Sequence, residues 1–265
     1  MSEEFVQQTF GANGVVTLKL NRPEVHNAFD DQLIAELTHK LRHLDHEASV
    51  RVVILAAEGK SFSAGADLNW MKRMTRYSEA ENLRDAVGLA SLMRALSSMT
   101  KPTVARIQGA AYGGGVGLVA CCDIAVASRS ALFSLSEVRL GLIPAVISPY
   151  VIAAIGERNA RRYFLTAERF DAQAALRIGL VHSVVDDGEL DTTVAGIVGE
   201  LLKGGPKAIA AAKDLISHVA HRPIDQILAE ETAARIAQIR VSPEGQEGIA
   251  AFLDKRAAAW TKPKP

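Results

Sequence analysis

Three stretches of this sequence carry residue types that chemistry can use. The first, Lys60-Ser-Phe-Ser-Ala-Gly-Ala-Asp67, follows a predicted strand. Small residues around Gly65 let a backbone turn sharply and approach a ligand closely. The same residues serve equally as a plain strand-to-helix turn with Asp67 near a helix N-terminus. The second, Gln108-Gly-Ala-Ala-Tyr-Gly-Gly-Gly-Val-Gly-Leu-Val-Ala-Cys-Cys-Asp123, sets three consecutive glycines before a short apolar helix. Such a helix start leaves N–H groups free to bind an anion or stabilise a developing oxyanion; a tight packing turn is the alternative. The third, Phe133-Ser-Leu-Ser-Glu-Val-Arg-Leu-Gly-Leu-Ile-Pro144, holds Glu137, the only carboxylate between Asp123 and Glu157. Apolar surroundings disfavour a charged carboxyl and raise its pKa, which suits it to carry a proton. An ordinary ion-pair partner is the competing account of a lone glutamate.

Other chemistries fit less well. Gly115-x-Gly117-x-x-Ala120 matches a dinucleotide fingerprint after a strand. Only about six residues separate Gly117 from Asp123, too few for a crossover helix. The strand that follows ends in Ser128-Arg129-Ser130, with no acid for a ribose. No Gly-Lys-Ser/Thr follows the glycines, so a P-loop is excluded. His39, His43 and His46 share helical spacing but lie opposite the stripe of Leu37, Leu41 and Leu44; they read as a solvated face, and no metal site is expected. Ser63 has Ser61 where a nucleophile elbow needs Gly. Cys121 and Cys122 are the only cysteines and sit in an apolar run without basic neighbours. They read as unpaired packing thiols of a reducing compartment.

The elements that must position these stretches alternate in type. Val15 to Leu20, Arg51 to Ala56, Thr103 to Ile107 and Asp123 to Ser128 read as strands. Leu33, Ile34, Leu37, Leu41 and Leu44 recur at helical spacing, and Ser78 with Glu81 makes a capping box for a second helix through Leu96. This order predicts an α/β architecture. After about residue 190 the pattern turns helical. Pro206 suits a first helical position, a further helix is expected from about Ile224 to Ile239, and Pro243 opens another, expected to run through Phe252 and Trp260. The chain divides into a core over residues 1–200 and a helical region over 201–265.

Composition bounds the partners. The 265 residues are 48% hydrophobic and 23% charged, which suits a soluble protein with a sizeable core. Basic and acidic residues balance at 30 each, leaving no field to draw the chain to nucleic acid or an anionic membrane. Aromatic residues are only 5%, which disfavours base stacking. The longest apolar run, between Arg106 and Asp123, holds Gln108 and five glycines and is shorter than the ~20 residues that span a bilayer. The acidic start, Met-Ser-Glu-Glu-Phe, is unlike a signal peptide, and a cytoplasmic protein is expected.

Taken together, the motifs resemble the crotonase (enoyl-CoA hydratase/isomerase) superfamily across nearly the whole chain. Asn21-Arg-Pro-Glu-Val-His-Asn-Ala28 is similar to its N-R-P-x-x-x-N-A segment, Ser61-Phe-Ser-Ala-Gly-Ala-Asp-Leu68 to its F-x-A-G-A-D-L segment, and Gly109 to Asp123 to its glycine-rich segment ending in Cys-Asp. The resemblance implies a ClpP-like spiral of β-β-α turns with a C-terminal all-helical trimerisation region, in trimers or dimers of trimers. It also implies an acyl-CoA thioester substrate with no separate cofactor. The family's oxyanion hole falls on the N–H groups of Ala66 and Gly114, its acid/base on Glu137, and its CoA contacts on Glu24, Val25, His26, Ala64, Asp67 and Leu68.

One departure narrows the reaction. Two-glutamate hydratases of the family carry a carboxylate where this chain has Gly117. That puts simple crotonyl-CoA hydration in doubt and keeps a Δ3,Δ2-enoyl-CoA isomerase in view. A non-catalytic acyl-CoA binder of the fold is a third reading, against which Glu137 argues. Ala145-Val-Ile-Ser-Pro-Tyr150 and Ala66-Asp-Leu-Asn-Trp-Met71 resemble the methylglutaconyl-CoA and isohexenylglutaconyl-CoA (γ-carboxygeranoyl-CoA) hydratases of leucine, isovalerate and acyclic terpene breakdown. On this reading Gly117 leaves room beside the reacting carbon for a branched chain, in a pocket lined by Trp70, Val146 and Ile147. Lys72, Arg73 and Arg76 are candidate partners for a substrate carboxylate, with a solvated helix face as the alternative.

Overall fold

The computed structural model describes residues 4–261. From the N-terminus, β1 (Val6–Phe10) and β2 (Val15–Leu20) precede α1 (Asp31–His46), and β3 (Val52–Ala57) precedes α2 (Leu68–Met74) and α3 (Glu79–Ser97). Next come β4 (Thr103–Ile107), β5 (Ala110–Tyr112), α4 (Gly114–Cys121), β6 (Ile124–Ser128), β7 (Leu132–Ser134) and α5 (Ser148–Thr166). Two residues of β8 (Phe170–Asp171), then α6 (Ala172–Arg177) and β9 (Ser183–Val185), lead into α7 (Leu190–Lys203), α8 (Pro206–Val219), α9 (Gln226–Val241) and α10 (Pro243–Leu253).

The strands form two sheets. One runs β1-β2-β3-β4-β6-β9, parallel except for β1; the other is β5-β7-β8. Each turn of chain places one strand in the large sheet, one in the small sheet, and then a helix. Thus β4, β5 and α4 make one turn, and β6, β7 and α5 the next. An earlier turn follows β3: Ser63 bridges Ala111 of β5 in parallel, so the 61–67 segment is the first rung of the small sheet. This is the expected β-β-α spiral. The strands of the small sheet are two or three residues long and escaped the sequence reading, as did β1; short runs show little periodicity.

Burial explains the elements. β3 reads Val-Val-Ile-Leu-Ala-Ala because helices pack on both faces of the parallel sheet. On one face the main core gathers Leu18, Leu33, Leu37, Leu41, Leu55, Met93, Val116, Phe133 and Ile147. On the other, Leu190, Val194 and Val198 of α7 cover Val52, Val104 and Val126. Helix α1 is capped by Asp30, which accepts from Leu33 N–H at 2.8 Å, and its His39, His43 and His46 are exposed as expected. The capping box of Ser78 and Glu81 opens α3.

Helices α8–α10 are tied to the core by buried-edge polar contacts. Lys213 pairs with Asp123 at 2.7 Å. The Arg51 guanidinium donates to the carbonyls of Leu202, Gly204 and Trp260. The last helix stops at Leu253, earlier than expected, and Trp260 lies in a separate 3-10 turn, Ala259–Thr261. There its indole donates to Lys203 O at 2.9 Å and packs against Gly248. Trp260 therefore anchors its own chain, whereas Phe252 is 82% exposed. Among the described residues no helix is long and apolar enough to cross a membrane.

Candidate active site

The 61–67 loop is built from buried polar residues that are fully occupied. Asn27 is completely buried in the left-handed region, φ 53°. Its side chain accepts from Arg22 N–H and donates to the carbonyls of Glu58 and Ser61, each at 2.8 Å. Ser63 Oγ donates to Asn27 O, and Ala64 N–H donates to His26 O at 3.0 Å. Arg22 reaches the carboxylates of Asp30 at 3.0 Å and Asp67 at 3.2 Å. Asp67 in turn caps α2, accepting from Asn69 and Trp70 N–H. Burial would push the Asp67 pKa up, but these two donors and the guanidinium outweigh it and hold the carboxyl below its ordinary value.

Phe29 fixes the orientation of the loop. Its N–H donates to Gly65 O at 2.7 Å and its carbonyl accepts from Asp67 N–H at 2.8 Å. Ala66 lies between those two partners, so its own N–H points away from Phe29, and it donates no hydrogen bond among the described residues. Across from it, Gly113 N–H is held by Ser134 O at 2.9 Å, and Gly114 begins α4. The Gly114 N–H is one of the four that a helix start leaves without an intrahelical partner. Tyr112 N–H donates to Ser63 O at 2.8 Å and locks the two loops side by side. Gly65, with φ +94°, is packed against Tyr112 O, and Gly113, with φ +49°, against Gly65 Cα. A Cβ at either position would be strained and would crowd the gap between the loops.

Glu137 comes to this gap from the 3-10 turn Glu137–Leu140. A Cβ on Gly113 would sit 3.1 Å from its Oε1 and press on the carboxyl. The other oxygen, Oε2, is buried with no hydrogen-bond partner. Burial raises the Glu137 pKa, opposed only in part by its own backbone N–H. A carboxyl with a raised pKa therefore lies beside two loops that each present an unpaired N–H donor. Such a group can give or take a proton next to a centre where negative charge develops.

The remaining expected residues divide. Glu24, Val25 and His26 form a turn tied through His26 O to Ala64, and Leu68 is exposed just beyond the buried Asp67. Trp70 is drawn away: it is buried, its indole N–H donates to Asp85 at 3.0 Å, and it lines a cavity of about 370 Å³ between α1 and α3. Gly117 and Ile147 do meet, but the expected space between them is absent. A Cβ on Gly117 would lie 2.3 Å from Ile147 Cγ2 and 3.2 Å from Met93 Cε. The room imagined for a branched chain is filled by those side chains, while Val146 is half-buried against the core. Lys72, Arg73 and Arg76 are exposed, and Arg73 pairs with Asp31, which favours the solvated face. Burial raises the thiol pKa of both cysteines, Cys122 to about 12. A cavity of about 630 Å³ lined by Thr17, Ile54, Arg106 and Val198 lies under α7 and includes none of these groups.

The Asn21–Ala28 motif marked Arg22 and Asn27 in the sequence, though not as the residues that hold the 61–67 loop, and Phe29 was not singled out.

A spiral whose loops set free N–H groups beside a buried carboxyl oxygen can stabilise an oxyanion and move a proton next to it. The profile of the enoyl-CoA hydratase/isomerase family matches residues 11–263, and the chain belongs to that family. It is 32% identical to a short-chain-enoyl-CoA hydratase of Clostridium acetobutylicum over 91% of this chain and 92% of that protein. It is 31% identical to a crotonyl-CoA hydratase of Syntrophomonas wolfei, over 92% and 93% respectively. The crystal structure of an enoyl-CoA hydratase from Shewanella pealeana superposes with a TM-score of 0.94 at 48% identity, covering 97% of this chain and 96% of that one.

Proposed function

We propose that this enzyme adds water across the 2,3 double bond of an enoyl-CoA, with Glu137 as the acid/base and the N–H groups of Ala66 and Gly114 as the oxyanion hole. The observation that carries the reading is the buried Glu137 carboxyl, unpartnered at Oε2 and seated on Gly113. As the oxygen of water bonds to C3, the Glu137 carboxylate takes one of its protons. The double-bond electrons move onto the thioester oxygen as an enolate, which the two N–H groups stabilise; one such donor is worth about 3–4 kcal/mol. Glu137 then returns the proton to C2 and the carbonyl re-forms, so that H and OH have been added and the carboxylate is restored. Glu24, Val25, His26, Ala64, Asp67 and Leu68 receive the CoA.

At the finer level the substrate is a branched glutaconyl-type acyl-CoA, 3-methylglutaconyl-CoA or isohexenylglutaconyl-CoA. Its support is the likeness of the Ala145–Tyr150 and Ala66–Met71 stretches. Ile147 closes the space beside Gly117, so a branched chain would need room elsewhere in the site.

The absence of a second carboxylate at 117 favours one alternative, a Δ3,Δ2-enoyl-CoA isomerase. There Glu137 would take a proton from C2 and return it to C4 through the same enolate. A panel of enoyl-CoAs analysed by mass spectrometry separates the readings. Hydration adds the mass of water; a moved double bond at unchanged mass selects the isomerase; an untouched panel overturns both. Preference by kcat/KM for crotonyl-CoA over the branched glutaconyl thioesters overturns the finer assignment.

The assembly proposed is a homotrimer or a dimer of trimers. Ile224, Ile227, Val241, Phe252 and Leu253 leave α8–α10 and their connections with exposed apolar surface, which such contacts would cover. Light scattering should give three or six chains; a monomer at micromolar concentration would refute it.

A further inference from the structure

We propose that Ile147 determines how many proton carriers this site can hold: its side chain takes the place that a carboxylate at position 117 would need. The inference rests on Glu137 being the acid/base and extends that reading to the residue that keeps it alone.

Gly113 and Gly117 lie one helical turn apart, joined by the hydrogen bond from Gly117 N–H to Gly113 O at 3.2 Å. Gly113, the non-helical cap before α4, meets the Glu137 carboxyl, and Gly117 lies one turn beyond it. Helical side chains lean toward the N-terminus. A side chain at 117 would therefore reach back over Gly113 and Gly114, toward Glu137 and the unpaired N–H of Gly114. That path is blocked. An added Cβ would stand 2.3 Å from Ile147 Cγ2 and 3.0 Å from Ile147 Cβ, well inside the ~3.5–4.0 Å at which carbon atoms rest against each other. Met93 Cε is also within 3.2 Å, but Met93 is flexible and can swing aside.

Ile147 cannot yield in the same way. It is β-branched and so stiff at χ1, and it is 2% exposed. Its backbone is fixed at the start of α5, where its carbonyl accepts from Tyr150 N–H at 3.1 Å and Val151 N–H at 3.0 Å. Gly117 and Ile147 are thus interlocked: a side chain cannot be added at 117 without strain while Ile147 stands. In the native enzyme the water must be oriented by something other than a side chain at 117, and one ionisation governs turnover.

The test is a set of variants at the two positions. Ile147→Gly is chosen over Ile147→Ala because alanine would keep the Cβ that lies 3.0 Å from the new one; glycine is also tolerated at a helix cap. The first readout is thermal. Gly117→Ala should lower Tm by several degrees beside Ile147 and by nearly nothing in the Ile147→Gly background. Equal effects in both backgrounds would overturn the interlock, whether or not the enzyme is active on any substrate. The second readout is the pH profile of kcat. Native enzyme should show one ionisation, and the double variant Gly117→Glu, Ile147→Gly should gain a second limb. A folded Gly117→Glu single variant with two limbs, or a folded double variant that keeps one, would refute the role of Ile147. If the double variant does not fold, the alanine cycle decides. Loss of hydratase activity in the native protein would instead strike the acid/base reading and leave the thermal cycle standing.

Discussion

Asp67 and Glu137 are two sheltered carboxyls in neighbouring loops, and the protein treats them in opposite ways. Asp67 is only 6% exposed, yet two backbone donors and the Arg22 guanidinium satisfy it and hold its pKa down. Glu137 has an oxygen buried with no partner, and its pKa is raised. A satisfied carboxylate has nothing left to exchange and serves as structure. An unsatisfied one is costly to the fold and available to a substrate. The difference lies in the number of donors that converge on each, more than in burial itself.

The sharpest way to break the comparison is to neutralise Glu137. Glu137→Gln keeps the shape and loses proton transfer. Turnover should fall by about 10²–10⁴-fold, with the circular dichroism spectrum unchanged. Substantial activity in this variant would remove Glu137 from the chemistry.

Next in size is the donor facing it. Gly114→Pro deletes the N–H at the first position of α4, where proline is otherwise well placed. The loss in kcat should be about 10²–10³-fold. Any Cβ here also meets Phe29 Cε2 at 3.0 Å. Gly114→Ala brings the same contact but keeps the N–H, so it should remain far more active. Equal losses in the two variants would assign the effect to Phe29 rather than to the oxyanion.

On the other side of the comparison, Arg22→Ala leaves Asp30 and Asp67 without their shared cation. Breaking a buried pair costs about 3–5 kcal/mol, reduced here because the Asp67 backbone donors remain. Denaturant unfolding should show a loss of about 2–3 kcal/mol, below that range because the backbone donors still hold Asp67. A change below about 0.5 kcal/mol, the size of an ordinary surface substitution, would mean that the clamp is not what holds the loop.

Much of this arrangement was legible in the residues. The four central strands of the large sheet, the capping box of Ser78, the helical C-terminal region and the glycine-rich turn all follow from local patterns, whereas its edge strands β1 and β9 did not show. The small sheet did not, because β8 is two residues long and Ser63 joins it through a single bridge. Glu137 and Gly117 were marked by their residue types, but what surrounds them is a matter of packing between distant segments. Nothing in the sequence around Gly117 tells that Ile147, thirty residues on, fills the space beside it. The partner of Trp70 was hidden for a related reason: its indole N–H finds Asp85, fifteen residues on in α3.

The smallest expected effect is also the most direct measure of the contrast between the two carboxyls. A folded-state pKa raised above the unfolded value means that the folded protein binds the proton more tightly. Stability from Glu137 is then fully present below the ordinary glutamate pKa and is lost as pH rises through the raised value. Each unit of that shift corresponds to about 1.4 kcal/mol at most, less where solvent reaches the group. Glu137→Gln has no such charge to bury, so its stability relative to the native enzyme should improve as pH rises from about 4.5 through the raised value and then level off. Asp67→Asn should move the opposite way. The lowered pKa of Asp67 contributes stability above the unfolded aspartate value, which is lost on acidification, so the deficit of the variant should shrink as pH falls. Denaturant midpoints of the three proteins measured across that range decide the matter. Two variants whose differences from the native enzyme run parallel with pH would mean that both carboxyls are solvated alike, and the distinction between them would be lost.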